Sequence, residues 1–228
     1  MIHNTYQDFH FRSIAYSQYA GIENRLYVAI SKTDEQKQRP VVNVYGSCSE
    51  IIQGLRPFIA SVVTESSSDG AIGGYGIAFD PEDNLYVSFE DLDAVLRFSK
   101  NTFLPMGKNV TSGNNNGGDN DDDDYDNSSA KYYNATFYKA SGVKGLAAVK
   151  ESLWVANPYA NKIIILGFES GKELAEVHID SPNNLYYDVF TNVVYASSRG
   201  YDWGKVYAYN ASYPFNKLAE FRAGNSIQ

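Results

Sequence analysis

The three histidines of this 228-residue chain are His3, His10 and His178, and none lies four residues from another or near a cysteine. That spacing fits neither a zinc site nor a Ser–His–Asp triad. Cys48 is the sole cysteine, which excludes an internal disulfide framework and a multi-cysteine zinc site. In an exported protein such an odd cysteine points to an intermolecular thiol or disulfide partner, and in a reducing compartment to a small buried thiol. The run Gly70-Ala71-Ile72-Gly73-Gly74-Tyr75-Gly76 lacks the Lys-Ser/Thr and the following helix of a phosphate loop. It reads as a connection between strands.

Carboxylates cluster most densely between Gly113 and Asn127, where Asp119, Asp121, Asp122, Asp123, Asp124 and Asp126 stand without a basic or aliphatic neighbour. Hard cations take such oxygens, so calcium is the one cofactor worth weighing. The tract lacks the Gly and Glu positions of an EF-hand loop. Self-repulsion and ordering entropy favour a solvated, disordered surface loop. Six of the 27 acids lie there, and without them the chain is close to neutral. The formal charge of −8 therefore belongs mainly to one loop. No basic stripe stands elsewhere, so no nucleic-acid partner is expected.

Four Asn-x-Ser/Thr sequons occur, at Asn109, Asn127, Asn134 and Asn210. Three flank the acidic tract and the fourth ends a strand, positions where a glycan can be accommodated. A secreted or cell-surface glycoprotein is expected on that ground. The opening residues, Met1-Ile2-His3-Asn4-Thr5-Tyr6, show no basic n-region and apolar h-region, so no signal peptide is visible in this chain. The longest apolar run, Ile163 to Phe168, is far short of the roughly 18 residues a membrane span needs. Membrane insertion is not expected.

The elements that would position these groups are strands. Short runs rich in Val, Ile, Tyr and Phe recur between Asn, Asp, Gly, Pro and Ser clusters, and helical periodicity is almost missing. One run recurs four times, as Leu26-Tyr27-Val28-Ala29, Leu85-Tyr86-Val87-Ser88, Leu153-Trp154-Val155-Ala156 and Val194-Tyr195-Ala196-Ser197. Each is followed by a second β-run. The shortest interval between the aromatics, Trp154 to Tyr195, is close to the ~40–45 residues of a four-stranded propeller blade. The longer intervals contain polar insertions. The approximate repeat units are 12–63, 71–142 with an insertion at about 107–133, 143–180 and 181–223, within a single region 1–228. Asp80-Pro81-Glu82-Asp83-Asn84 is a turn in which Asp80 can form an Asx-turn and Asn84 tolerates a left-handed backbone.

Gly76-Ile77-Ala78-Phe79-Asp80 followed by Leu85-Tyr86-Val87-Ser88 resembles the opening of an NHL-type β-propeller repeat. Val155-Ala156-Asn157 through Asn161-Lys162-Ile163-Ile164-Ile165-Leu166 resembles the stretch that follows it. The likeness is strongest in 76–99 and 143–167, and Asp83 or Asn84 stands where the family usually has glycine. The resemblance implies an all-β fold, a β-propeller of four-stranded antiparallel blades. About four blades are present where the related six-bladed NHL/SMP-30-like propellers close with six. An incomplete or fragmentary propeller is therefore expected. The alternatives are a four-bladed ring and completion by a second chain. Phe9 and Phe11 fall in an alternating segment expected to be another outer strand.

The function expected is a non-catalytic interaction or scaffold module, extracellular and glycosylated, that contacts protein or glycan through its face loops. Two alternatives stand beside it. One is a structural building block of an extracellular assembly that self-associates. The other is a metal-dependent lactonase- or lyase-type enzyme, for which Asp80 and Asp188 are conceivable channel carboxylates. No catalytic or metal-ligating residue is assigned.

Overall fold

In a computed structural model, the structure describes residues 9–16, 25–32, 38–47, 58–65, 74–90, 92–98, 136–199 and 204–222. All sixteen elements are strands, and they form four antiparallel four-stranded sheets in which sequence neighbours pair. Blade one contains β1 (Phe9–Tyr16), β2 (Arg25–Lys32), β3 (Gln38–Ser47) and β4 (Phe58–Glu65). Blade two contains β5 (Gly74–Phe79), β6 (Leu85–Phe89), β7 (Ala94–Phe98) and β8 (Thr136–Lys139). Blade three contains β9 (Leu146–Val149), β10 (Ser152–Asn157), β11 (Lys162–Gly167) and β12 (Glu173–His178). Blade four contains β13 (Pro182–Asp188), β14 (Val193–Ser198), β15 (Lys205–Asn210) and β16 (Lys217–Arg222). The expected all-β architecture of four-stranded blades is the one observed.

The first strand of each sheet packs on the first strand of the next, β1 on β5, β5 on β9 and β9 on β13. Among the described strands no comparable packing joins β13 back to β1. The blades form an open arc, consistent with an incomplete propeller. The expectation of an extra outer strand around Phe9 and Phe11 is corrected: both residues belong to β1, at the inner end of blade one. Alternation marks a strand but carries no information on its place in a sheet.

The recurring aromatic explains why the blades stack. Tyr27, Tyr86 and Trp154 are each 2% exposed or less, and each lies opposite an alanine of the first strand: Ala15, Ala78 and Ala147. The small residue leaves room for the large ring, and the pair meets apolar side chains of the next blade. Tyr27 joins Ile77, Leu85 and Val87, and Trp154 joins Val194, Ala196 and Tyr209. A pleated sheet with only one face covered would expose half of these side chains, so each blade depends on its neighbour.

Two glycines set how closely the blades approach. A Cβ at Gly76 would stand 2.5 Å from the Lys144 carbonyl oxygen, and one at Gly145 would stand 2.5 Å from that of Asn183. Turn chemistry fixes the first hairpin of blades two, three and four. In blade two the left-handed residue is Asp83, at φ 64°, and not Asn84, which the sequence reading favoured for that backbone. Asn84 is instead held by its side chain, because Asp80 accepts from both its amide groups. Lys150 and Asn192 take the same left-handed place in blades three and four.

Candidate functional site

Blade four carries the most exposed apolar surface among the described residues. In the β13–β14 turn Phe190 is 96% exposed, with Val189 beside it, and in the β15–β16 turn Tyr213 is 83% exposed. Both turns leave the same end of the sheet, since each joins an odd-numbered strand to the next even-numbered one.

Polar side chains hold the β13–β14 turn. Asp188 ends β13 and accepts the Phe190 amide at 3.0 Å and the Thr191 hydroxyl at 2.6 Å. These bonds favour the ionised carboxylate, the Thr191 bond most, and hold its pKa below the usual range. Asn192 then bolts one turn to the other. Its side-chain oxygen accepts from the Tyr187 hydroxyl at 3.2 Å, and its amide donates to Asn210 Oδ1 at 3.2 Å and Ser212 Oγ at 3.1 Å. Lys150, from blade three, donates to the same Ser212 hydroxyl at 3.0 Å.

An aromatic relay supports Tyr213 from below. Its ring meets Phe215 edge-on at 5.8 Å, and Phe215 meets the buried Trp154 edge-on at 5.3 Å. Edge-to-face pairs contribute about 0.5–1.5 kcal/mol beyond area burial. The platform therefore offers exposed aromatic groups on hydrogen-bonded turns.

The two candidate carboxylates lie apart, Asp188 in the platform and Asp80 in blade two. Asp80 is buried with its oxygens occupied. Oδ1 accepts the amides of Glu82 and Asn84, and Oδ2 accepts the Asn84 side chain at 2.8 Å and the Tyr86 hydroxyl at 3.0 Å. Arg97 stands 3.7 Å from Oδ2. Burial, then the Asp80 charge, pushes the Tyr86 phenol well up. Asp80 is a turn residue and Asp188 another, in different blades. Among the described residues no group of three or more His, Cys, Asp or Glu is placed to hold a metal.

His178 sits on the outermost strand of blade three, exposed, 3.3 Å from Glu176. Asn210 ends β15, its oxygen engaged by Asn192 and the Ser212 amide. His3, Cys48, Asn109, Asn127, Asn134 and the acidic tract lie outside the described residues. Gly74, Tyr75 and Gly76, read as a connection, are the first residues of β5. Sequence reasoning missed Phe190 and Tyr213. The available signal was an apolar pair, Val189-Phe190, inside a tight turn framed by Asp188 and Asn192, where polar residues are the norm.

No protein-family model matches the chain, and no curated protein matches it. Solved structures do. A chain of a mitotic checkpoint complex is 12% identical with a TM-score of 0.51, over 95% of this chain and 52% of that one. A chain of a nidogen/laminin complex is 11% identical with a TM-score of 0.50, over 91% and 63%. Virginiamycin B lyase from Staphylococcus aureus is 8% identical with a TM-score of 0.51, over 95% and 56%. The chain thus spans a little over half the length of the structures it matches. At these identities the likeness concerns the fold alone, and the fold is that of a β-propeller.

Proposed function

We infer that the chain is a non-catalytic interaction module of the NHL propeller type that holds a protein partner on the face loops of blade four. The observation that carries this reading is the exposure of Phe190 and Tyr213 on two hydrogen-bonded turns at one end of the same blade. Aromatic side chains are enriched among the residues that dominate interface energetics. The matched checkpoint and nidogen/laminin structures are complexes, which supports protein contact as a use of this scaffold. The match of Gly76–Ser88 to the repeat pattern, with Asp83 in the turn position usually held by glycine, supports the NHL type. Export and glycosylation belong to the same proposal. The sequon Asn210 lies at the rim of the platform, beside Ser212, and Asn109, Asn127 and Asn134 would carry further glycans.

The test compares capture by the native chain and by a Phe190→Ser/Tyr213→Ser variant from culture medium, read by quantitative mass spectrometry. A protein retained by the native chain and depleted at least about tenfold on the variant, a loss of roughly 1.4 kcal/mol, is the expected result. An identical captured set on both would overturn the reading. Intact-mass analysis of native material showing bare asparagines would remove glycosylation from it.

A further inference from the structure

The four blades bring one side chain each to a common point. In every blade the residue opposite the recurring aromatic is fixed by strand register, as Ala15, Ala78, Ala147 and Tyr186. The residues standing the same short distance before these are Arg12, Tyr75, Lys144 and Asn183. Arg12 lies 5.4 Å and Lys144 5.2 Å from the centre of the Tyr75 ring, and the Tyr75 hydroxyl donates to Asn183 Oδ1 at 2.7 Å. Blade three stands between Tyr75 and Asn183, so the two meet past its innermost edge, on the concave side of the arc. The group lies where the first strands begin, at the opposite end of the blades from Phe190 and Tyr213.

The chemistry of this group is lopsided. Arg12, Lys144 and Asn183 are rich in N–H donors, and a guanidinium or an ammonium accepts nothing. Against the two cations stands one carboxylate, Glu90, which lies 3.2 Å from Lys144 Nζ and also accepts the Tyr159 hydroxyl at 3.4 Å. The group is therefore net positive in a chain whose formal charge is −8. Asn183 Oδ1 is taken by Tyr75, which leaves the amide nitrogen as a donor, and among the described residues it has no acceptor. The Lys144 side chain is only 15% exposed, so water screens its charge less than at an open surface.

We propose that Arg12, Tyr75, Lys144 and Asn183 form an oxyanion-binding site on the concave side of the arc, which takes the carboxylate or phosphate group of a small ligand. Arg12 and Lys144 supply charge-assisted hydrogen bonds, and Asn183 Nδ2 supplies a neutral one. Tyr75 positions all three. Its ring attracts both cations, and its hydroxyl fixes the Asn183 amide with the nitrogen outward. Glu90 tunes the affinity, because a ligand competes with it for Lys144. The site is separate from the Phe190–Tyr213 platform and stands whether or not that platform holds a partner.

Two-dimensional NMR of the 228-residue chain, titrated with inorganic phosphate and separately with acetate at an ionic strength held constant by chloride, tests this. Saturable shifts of the Tyr75, Gly145 and Asn183 amides are expected with at least one of the two ions, at millimolar concentration or below. The ion bound more tightly identifies the acidic group of the ligand. Arg12→Gln and Lys144→Gln are each expected to weaken binding about tenfold, with far-UV circular dichroism as the folding control. Glu90→Gln removes the competing carboxylate and is expected to tighten binding, a gain that a merely structural cluster would not show. Lys172→Gln, exposed in the β11–β12 turn at the other end of the blades, is the charge control and is expected to titrate like the native chain. Shifts that stay linear in concentration for both ions overturn the proposal. So does a Lys144→Gln chain that binds as the native one does.

Discussion

The Tyr75 hydroxyl donates a 2.7 Å hydrogen bond to Asn183 Oδ1, joining blades two and four across 108 residues of sequence. Blade three lies between them in the arc, so this bond fixes curvature as well as contact. Arg12 of blade one stands 5.4 Å from the Tyr75 ring centre, and Lys144, which leads into blade three, stands 5.2 Å from it. Lys144 is also paired with Glu90 at 3.2 Å. One side chain thus touches all four blades. Tyr75→Phe keeps the ring and loses the bond, an expected cost of about 0.5–1.5 kcal/mol. Tyr75→Ala removes the cation–π contacts too and is expected to cost more than Tyr75→Phe. Urea unfolding of the three proteins checks the order.

The junction glycines give a sharper test of blade spacing. Gly145→Ala places its new methyl 2.5 Å from a backbone oxygen and 2.6 Å from the Asn184 Cα. Backbone cannot swing aside as a side chain can, so a loss of about 1–3 kcal/mol is expected. Gly167→Ala is the control, because its methyl would meet Leu174 at an ordinary 3.7 Å. That change is expected to be neutral or stabilising by about 0.4–1 kcal/mol. Thermal melts of both variants decide the matter.

Much of this was legible in the sequence. The four-fold recurrence of Tyr27, Tyr86, Trp154 and Tyr195 reports a period, and periodic burial is a local pattern that residue types reveal. The resemblance at Gly76–Ser88 supplied the blade. The role of Gly76 and Gly145 was not legible, because a close approach involves backbone of a blade distant in sequence. Tyr75 was likewise hidden, since its partner lies 108 residues away. The platform escaped for a different reason: exposed apolar residues are common on surfaces, and only the Asp188 and Asn192 bonds distinguish Phe190.

Buried phenols set an alkaline limit. Tyr209, packed in the junction between blades three and four, is pushed up to about 12 by burial first and then by Tyr207 and Glu220. Tyr86 is raised as well, by burial and Asp80. A phenol whose folded pKa exceeds its unfolded value near 10 favours the fold fully below about pH 10. The contribution of Tyr209 is lost as pH rises from there through about 12. Stability is expected to fall over that interval, and Tyr209→Phe to flatten the fall. Melting temperature against pH is the measurement.

Asp188 sets the acid limit of the platform. Its folded pKa is depressed by the Thr191 and Phe190 bonds, so its support of the turn is complete above the ordinary value of about 3.9. The support is lost as pH falls through the lower folded value. The Phe190 amide resonance is expected to titrate with a midpoint below about 3.9. Asp188→Asn, which has no carboxylate, is expected to abolish that inflection. Two-dimensional NMR from neutral pH to about pH 2 reads both.

Partner contact through blade four is tested most directly by hydroxyl-radical footprinting of the chain with and without its captured partner. Tyr159 is the internal reference, being 69% exposed in the β10–β11 turn, at the opposite end of the strands from Phe190 and Tyr213. Protection of Phe190 and Tyr213, with Tyr159 labelled as in the free chain, is the predicted result. Protection of Tyr159 with Phe190 and Tyr213 still fully labelled would contradict it.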